Sequence, residues 1–215
     1  ARGSLAEEDV TLLLHAAAQD EWRDRGSFLG VLELCRLALD AKQSLPDGVD
    51  YANLVTNYVE RFASKLTCFD DIRPHLAALR KTPDVPHQPL TSETSITQRI
   101  NAEKIALFFE QGASADDLLQ AYIESLEHVH EPSTEMQPGD DLALLAVYVT
   151  LAKSSSVENL IQAAAIASYA CEKSARAYKL RLLLIRLLLR LGCLKLAVYH
   201  FDALELLSLI HISEP

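Results

Sequence analysis

The sequence predicts an all-α chain, and three observations lead there. Leucine (38) and alanine (28) supply 66 of the 215 residues, and both lose little side-chain freedom on entering a helix. Glycine (7) and proline (8) total 15 residues, about 7% of the chain against roughly 12% in average usage. Apolar positions recur every three to four residues, the period of an amphipathic helix and not of a strand.

Ten segments carry that period, at 5–19, 26–43, 50–65, 68–80, 92–111, 115–130, 140–153, 156–172, 175–191 and 193–207. The first three rest on periodicity, with Glu7-Glu8 in the opening turn of the first. The fourth begins at Thr67, with Asp70 three residues on, and the sixth pairs Ser114 with Asp117 in the same way. The eighth pairs Ser155 with Glu158. Such a side chain can accept from orphan N–H groups, while the acid favours the positive helix end. Gly112 and Gly192 follow the fifth and ninth segments, where a left-handed residue closes a helix without steric cost.

Two punctuated stretches interrupt the series: 81–91 with Pro83, Pro86 and Pro89, and 131–139 with Pro132, Pro138 and Gly139. Both read as loops. The first either divides the chain into a group of helical repeats at 1–80, a proline-rich loop at 81–91 and a second group at 92–204, or is a long surface loop inside one helical array. Helices of this length on short connections predict stacked antiparallel pairs, a superhelix of tetratricopeptide-like repeats in degenerate form, since the strict 34-residue signature is absent. A compact bundle is the structural alternative. Residues 205–215 stand apart, because Ser208 to Pro215 fits neither the preceding helix nor the rest and reads as a non-native tail.

The net charge of −10 argues against direct DNA or RNA binding, which is largely cation-driven. The most apolar stretch, Leu180–Leu194, is interrupted by Arg181, Arg186 and Arg190, so it predicts a buried helix and not a membrane span. Cys35, Cys68, Cys171 and Cys193 lie far apart and read as buried thiols in a reducing compartment. The chain opens Ala1-Arg2-Gly3-Ser4, with no initiator Met and no secretion signal, as a piece of a longer protein would.

Signals for chemistry are weak. The acidic doublets Glu7-Glu8, Asp70-Asp71, Asp116-Asp117 and Asp140-Asp141 all fall in first helical turns, where the macrodipole alone explains them. His128 and His130 are two apart, too far around a helix to share a face; His15, His75, His87, His200 and His211 are solitary, and no metal-ligand spacing occurs. No glycine-rich nucleotide turn is present. The nearest approach to an acyl-coenzyme A turn, Arg23 to Phe28, fails at Phe28 and reads as a helix connection. No catalytic, cofactor or metal residue is assigned. Arg186 and Arg190 share a face, with Arg181 further round; they could meet an acidic partner, or lie along a buried helix and pair with a neighbour's acids.

Three segments in order resemble one family. Arg61-Phe62 with Lys65-Leu66-Thr67-Cys68-Phe69-Asp70-Asp71-Ile72-Arg73-Pro74-His75-Leu76 is similar to the R-F-x-x-K-x-x-C-F-x-D-[LI]-[KR]-x-[YH]-L stretch of the auxiliary, non-catalytic subunit of the N-terminal acetyltransferase B complex (NatB). Thr134-Glu135-Met136-Gln137-Pro138-Gly139-Asp140-Asp141 running on to Leu144-Leu145-Ala146 resembles its T-E-x-Q-P-G-D-D-x-x-L-L-A. Tyr178-Lys179-Leu180 through Leu184-Ile185-Arg186-Leu187 to Gly192 and Ala197-Val198-Tyr199 resembles its K-L-L-L-I-[KR]-L-Y-x-L-L-G helix pair. Thr67 stands where a second cysteine is common, and Leu188 where the family tends to carry Tyr.

The resemblance implies a cytoplasmic, non-enzymatic scaffold that wraps a catalytic acetyltransferase subunit and supports it at the ribosome. That partner would bind acetyl-coenzyme A and acetylate nascent chains beginning Met-Asp, Met-Glu, Met-Asn or Met-Gln. The family-motif residues are Cys68, Phe69, Asp70, Asp71, Pro74, Gln137, Pro138, Gly139, Asp140 and Asp141, each either packing or touching the partner. Pro74 should kink its helix by removing a backbone donor, and Phe69 should anchor it. A generic helical-repeat adaptor of another complex shares every compositional feature, and an all-α enzyme with a dispersed active site is a third reading.

Overall fold

The structure, a computed structural model, describes residues 12, 24–45, 49–80, 95–127, 137 and 139–204. Apart from Leu12, the expected helix at 5–19 lies outside these residues, as do the stretch 81–91, Pro132, Pro138 and the tail at 205–215. All regular structure among the described residues is helical, in nine helices: α1 (Arg25–Asp40), α2 (Tyr51–Phe62), α3 (Cys68–Leu79), α4 (Ile96–Phe108), α5 (Ala115–Leu126), α6 (Asp140–Lys153), α7 (Val157–Lys173), α8 (Tyr178–Arg190) and α9 (Leu194–Asp202). None is long and apolar enough to cross a membrane.

The chain forms two compact units, Ala1–Phe109 and Glu110–Pro215. Helix α4 packs on α3 and so lies in the first unit. In the first unit, α1 turns Phe28, Val31, Leu32, Cys35 and Ala38 inward, the three- and four-residue spacing of one helix face. Phe28 meets Tyr58 edge-on at 5.4 Å between ring centroids, and Phe62 packs on Tyr58 at 4.8 Å. Val55, Ile72 and Leu76 complete this core, and Phe69 packs against it half-buried, as expected. Helix α3 runs through Pro74 without interruption.

In the second unit each helix packs on the next, and α6 also touches α8. Connections of three or four residues after α6, α7 and α8 force antiparallel neighbours, giving the stacked pairs that the sequence predicts. Helix α6 buries Leu142, Ala143, Leu145, Ala146, Val147 and Thr150 and leaves Tyr148 exposed. Opposite it, α7 buries Ala163, Ala164, Ala167 and Ala170, small side chains that let backbones approach.

Helix ends follow local hydrogen-bonding chemistry. Asp24, Asp50 and Ser95 cap α1, α2 and α4 by accepting from Ser27 N, Asn53 N and Gln98 N. Asp24 is therefore a cap and Arg25 the first helical residue, where a plain connection was expected. Ser114 and Asp117 form the expected capping box on α5, an arrangement worth about 1 kcal/mol. Two expected caps differ. Helix α7 is capped by Ser156, which accepts from Asn159 N, not by Ser155; and Thr67 makes no capping bond, its backbone being helical at φ −88°, ψ −1° where a cap is extended, and its hydroxyl accepts from Arg25 Nη2 at 2.7 Å. The left-handed residue after α4 is Glu110 (φ 63°), not Gly112, whereas Gly192 (φ 75°) closes α8 as expected. Around Gly192, Cys193 N donates to Leu188 O at 2.8 Å, satisfying an orphan carbonyl.

Candidate functional site

The motif residues fall into two neighbourhoods, one in each unit. In the first, Asp71 sits one turn into α3 and holds Arg25 of α1: Arg25 Nη2 donates to both carboxylate oxygens at 2.7 and 2.6 Å, and Nε donates to Oδ2 at 3.1 Å. The Tyr58 hydroxyl of α2 donates to the same Oδ2 at 2.8 Å and accepts from Arg25 Nε at 3.1 Å. One carboxylate thus ties three helices. These hydrogen bonds, from Tyr58 first and Asp71 second, raise the Arg25 pKa, and burial raises that of Tyr58. Asp70 is exposed, as is Pro74.

Beneath this cluster Asn101 of α4 is buried. Its amide nitrogen donates to Ala63 O at 2.7 Å and Lys65 O at 2.9 Å, and its oxygen accepts from Phe69 N at 3.3 Å. The α2–α3 turn is therefore fixed from outside, and Asn101 supplies the first turn of α3 with an acceptor that Thr67 does not. Tyr51 and His75 form a buried pair, hydroxyl to Nδ1 at 2.8 Å. Burial lowers the His75 pKa and raises that of Tyr51, so the pair is neutral and disinclined to move a proton.

In the second neighbourhood Gln137 and Asp140 are buried. Asp140 Oδ2 accepts from Gln137 N at 3.1 Å and from the Ser174 hydroxyl at 2.7 Å, which links the start of α6 to the end of α7. Among the described residues its Oδ1 has no partner, and burial raises the Asp140 pKa. Gly139 must be glycine for steric reasons: an added Cβ would overlap the Ser125 hydroxyl and come within 2.9 Å of the Ser125 Cβ. Asp141 takes an ion pair from Lys179 of α8 at 3.5 Å.

The three arginines separate. Arg181 is buried and reaches Ala175 O at 3.3 Å through Nη2, with Nε unpartnered among the described residues. Arg186 and Arg190 are exposed on α8. His200 Nδ1 is likewise buried without a partner among the described residues, its pKa lowered by burial and then by the Arg181 charge.

Among the described residues no group of three or more His, Cys, Asp or Glu could hold a metal. Burial pushes the Cys68 thiol up to about 12 and those of Cys35 and Cys171 up to about 11, which disfavours the nucleophilic thiolate; Cys193, expected to be buried with them, is exposed. The carboxylates of Asp71, Asp140 and Asp141 are committed to holding helices together, and what the surface offers is exposed helix faces. Sequence reasoning missed Arg25, Asn101 and Ser174. Neither an Arg opening a helix, as Arg25 does, nor an Asn inside one, as Asn101 is, carries a periodic signal of its role, and their partners lie 46, 38 and 36 residues away for Asp71, Ala63 and Lys65.

A family model described as the N-acetyltransferase B complex (NatB) non catalytic subunit matches residues 4–211. No curated protein matches the chain.

Proposed function

Because the chain belongs to the family of the NatB non-catalytic subunit, we propose that it is a scaffold that binds the catalytic acetyltransferase subunit and holds it where nascent chains emerge at the ribosome in the cytoplasm. The family is non-catalytic, and its membership implies a catalytic NatB partner. The observation that carries the proposal is the length of the match, residues 4–211 of 215. The helical stacks agree with it in kind, since paired helices expose long faces suited to another protein. The chemistry would belong to the partner: the acetyl group leaves the thioester of acetyl-coenzyme A for the α-amine of chains beginning Met-Asp, Met-Glu, Met-Asn or Met-Gln. This chain would supply position and no reacting group.

Co-expression with the catalytic NatB subunit, followed by size-exclusion chromatography, tests the proposal. Co-elution at the summed mass is expected. Separate elution of two folded proteins would count against it.

A further inference from the structure

The sequence from Lys173 to Phe201 contains seven cations (Lys173, Arg176, Lys179, Arg181, Arg186, Arg190 and Lys195) and no acid. The rest of the chain has 20 − 7 = 13 cations against 30 acids, a balance of −17. Helix α8 lies within this run. It buries Leu180, Leu184, Leu187 and Leu188 toward its own unit, yet on the opposite side Tyr178, Leu182 and Leu189 are 37%, 51% and 52% exposed, with Ile185 half-buried between them. The spacing of these four is 4-3-4, the period of a coiled-coil seam.

Lys179 and Arg186 each follow a seam residue and so take the flanking positions that pair charges across two helices. Among the described residues Lys179 has one ion pair, with Asp141 at 3.5 Å. Arg186 and Arg190 make no ion pair or hydrogen bond among the described residues, although acids are in excess elsewhere in the chain. Arg190 also answers the negative end of the α8 macrodipole; Arg186 lies a full turn earlier.

We infer that the outer face of α8 docks an amphipathic helix of a protein partner, with an apolar heptad seam against Tyr178, Leu182, Ile185 and Leu189 and acidic flanking residues against Lys179 and Arg186. An acidic helix fits better than a nucleic acid, because a phosphate backbone would leave the seam uncompensated. A bilayer would want apolar residues across the whole exposed arc, and Lys179, Arg186 and Arg190 occupy half of it. The inference rests on α8 alone and is independent of which protein supplies the helix.

The test uses the whole chain and a fluorescein-labelled synthetic helix of three heptads, with Leu at the seam and Glu at both flanks, read by fluorescence anisotropy at low salt. Two control peptides carry Lys at the flanks or Ser at the seam. The Glu peptide should bind at least tenfold more tightly than either. Arg186→Glu should reverse the preference between Glu and Lys peptides, and Leu182→Ser with Leu189→Ser should abolish binding of both, with circular dichroism unchanged in each variant. Reversal of two cations outside α8, Arg73→Glu and Lys153→Glu, should leave the Glu peptide bound. Equal binding of Glu and Lys peptides, or an unaltered preference in Arg186→Glu, would overturn the proposal. So would poly-uridine or phosphatidylserine vesicles binding in an Arg186-dependent manner while the Glu peptide does not.

Discussion

Asn101 gives the most demanding prediction about how the first motif is held. Its side chain makes three hydrogen bonds, two donated to Ala63 O and Lys65 O and one accepted from Phe69 N, and it is 1% exposed. Asn101→Ala removes all three and leaves backbone groups of the α2–α3 turn without partners. At roughly 0.5–1.5 kcal/mol per lost bond, the cost is about 3 kcal/mol. Asn101→Asp should cost more at neutral pH, since a carboxylate oxygen would face two carbonyls. The sign follows from linkage: the buried acid has its pKa raised on folding, so stability is highest below the unfolded value of about 4 and is lost as pH rises through the folded value. Urea unfolding by circular dichroism at pH 4 and pH 7 measures the pair, and amide exchange at Phe69 reports the local bond. Asn101→Ala within about 0.5 kcal/mol of the parent, with Phe69 exchange unchanged, would refute the assignment of Asn101 as the clamp.

Further expectations are simpler to state. Gly139→Ala should destabilise by about 1–3 kcal/mol through overlap with Ser125, while Gly30→Ala, whose Cβ would meet nothing within 4 Å on α1, should stabilise by about 0.5–1 kcal/mol; thermal melts of both variants give the contrast. Burial depresses the His75 pKa from 6.5, so its contribution is present above the unfolded value and is lost as pH falls through the folded one. His75→Gln should accordingly lose less stability than the parent in urea titrations between pH 7 and pH 5. Native labelling with a thiol reagent should modify exposed Cys193 first and reach buried Cys35, Cys68 and Cys171 only after urea is added; mass spectrometry of the labelled peptides decides.

Helix existence was legible because burial on one face writes itself as a three-to-four-residue period, and α6, apolar on nearly every side, could be placed through its Pro138-Gly139 start and Asp140-Asp141 first turn. Ends were less legible. Lys42 and Glu110 occupy left-handed positions at φ 58° and 63° with side chains that give no hint of it, so the end of α4 was expected at Gly112. Adjacent serines 154, 155 and 156 offered three caps, and only the backbone path chooses Ser156. The resemblance named Asp71, Gly139 and Asp140 but not what they do. Their roles depend on Arg25, Tyr58, Ser125 and Ser174, which lie distant in sequence and become neighbours only through helix packing. Likewise Arg181 and Arg186 look equivalent along the chain, yet five residues of helix place one guanidinium inside and the other outside.

The scaffold reading stands or falls on where acetyl transfer happens. The direct measurement is the rate of transfer from acetyl-coenzyme A to a Met-Asp peptide by this chain alone, by the catalytic NatB subunit alone and by the two together. The account predicts no transfer by the chain alone and a rate for the pair above that of the catalytic subunit. Transfer by the chain alone, or a pair no faster than the catalytic subunit by itself, would contradict it.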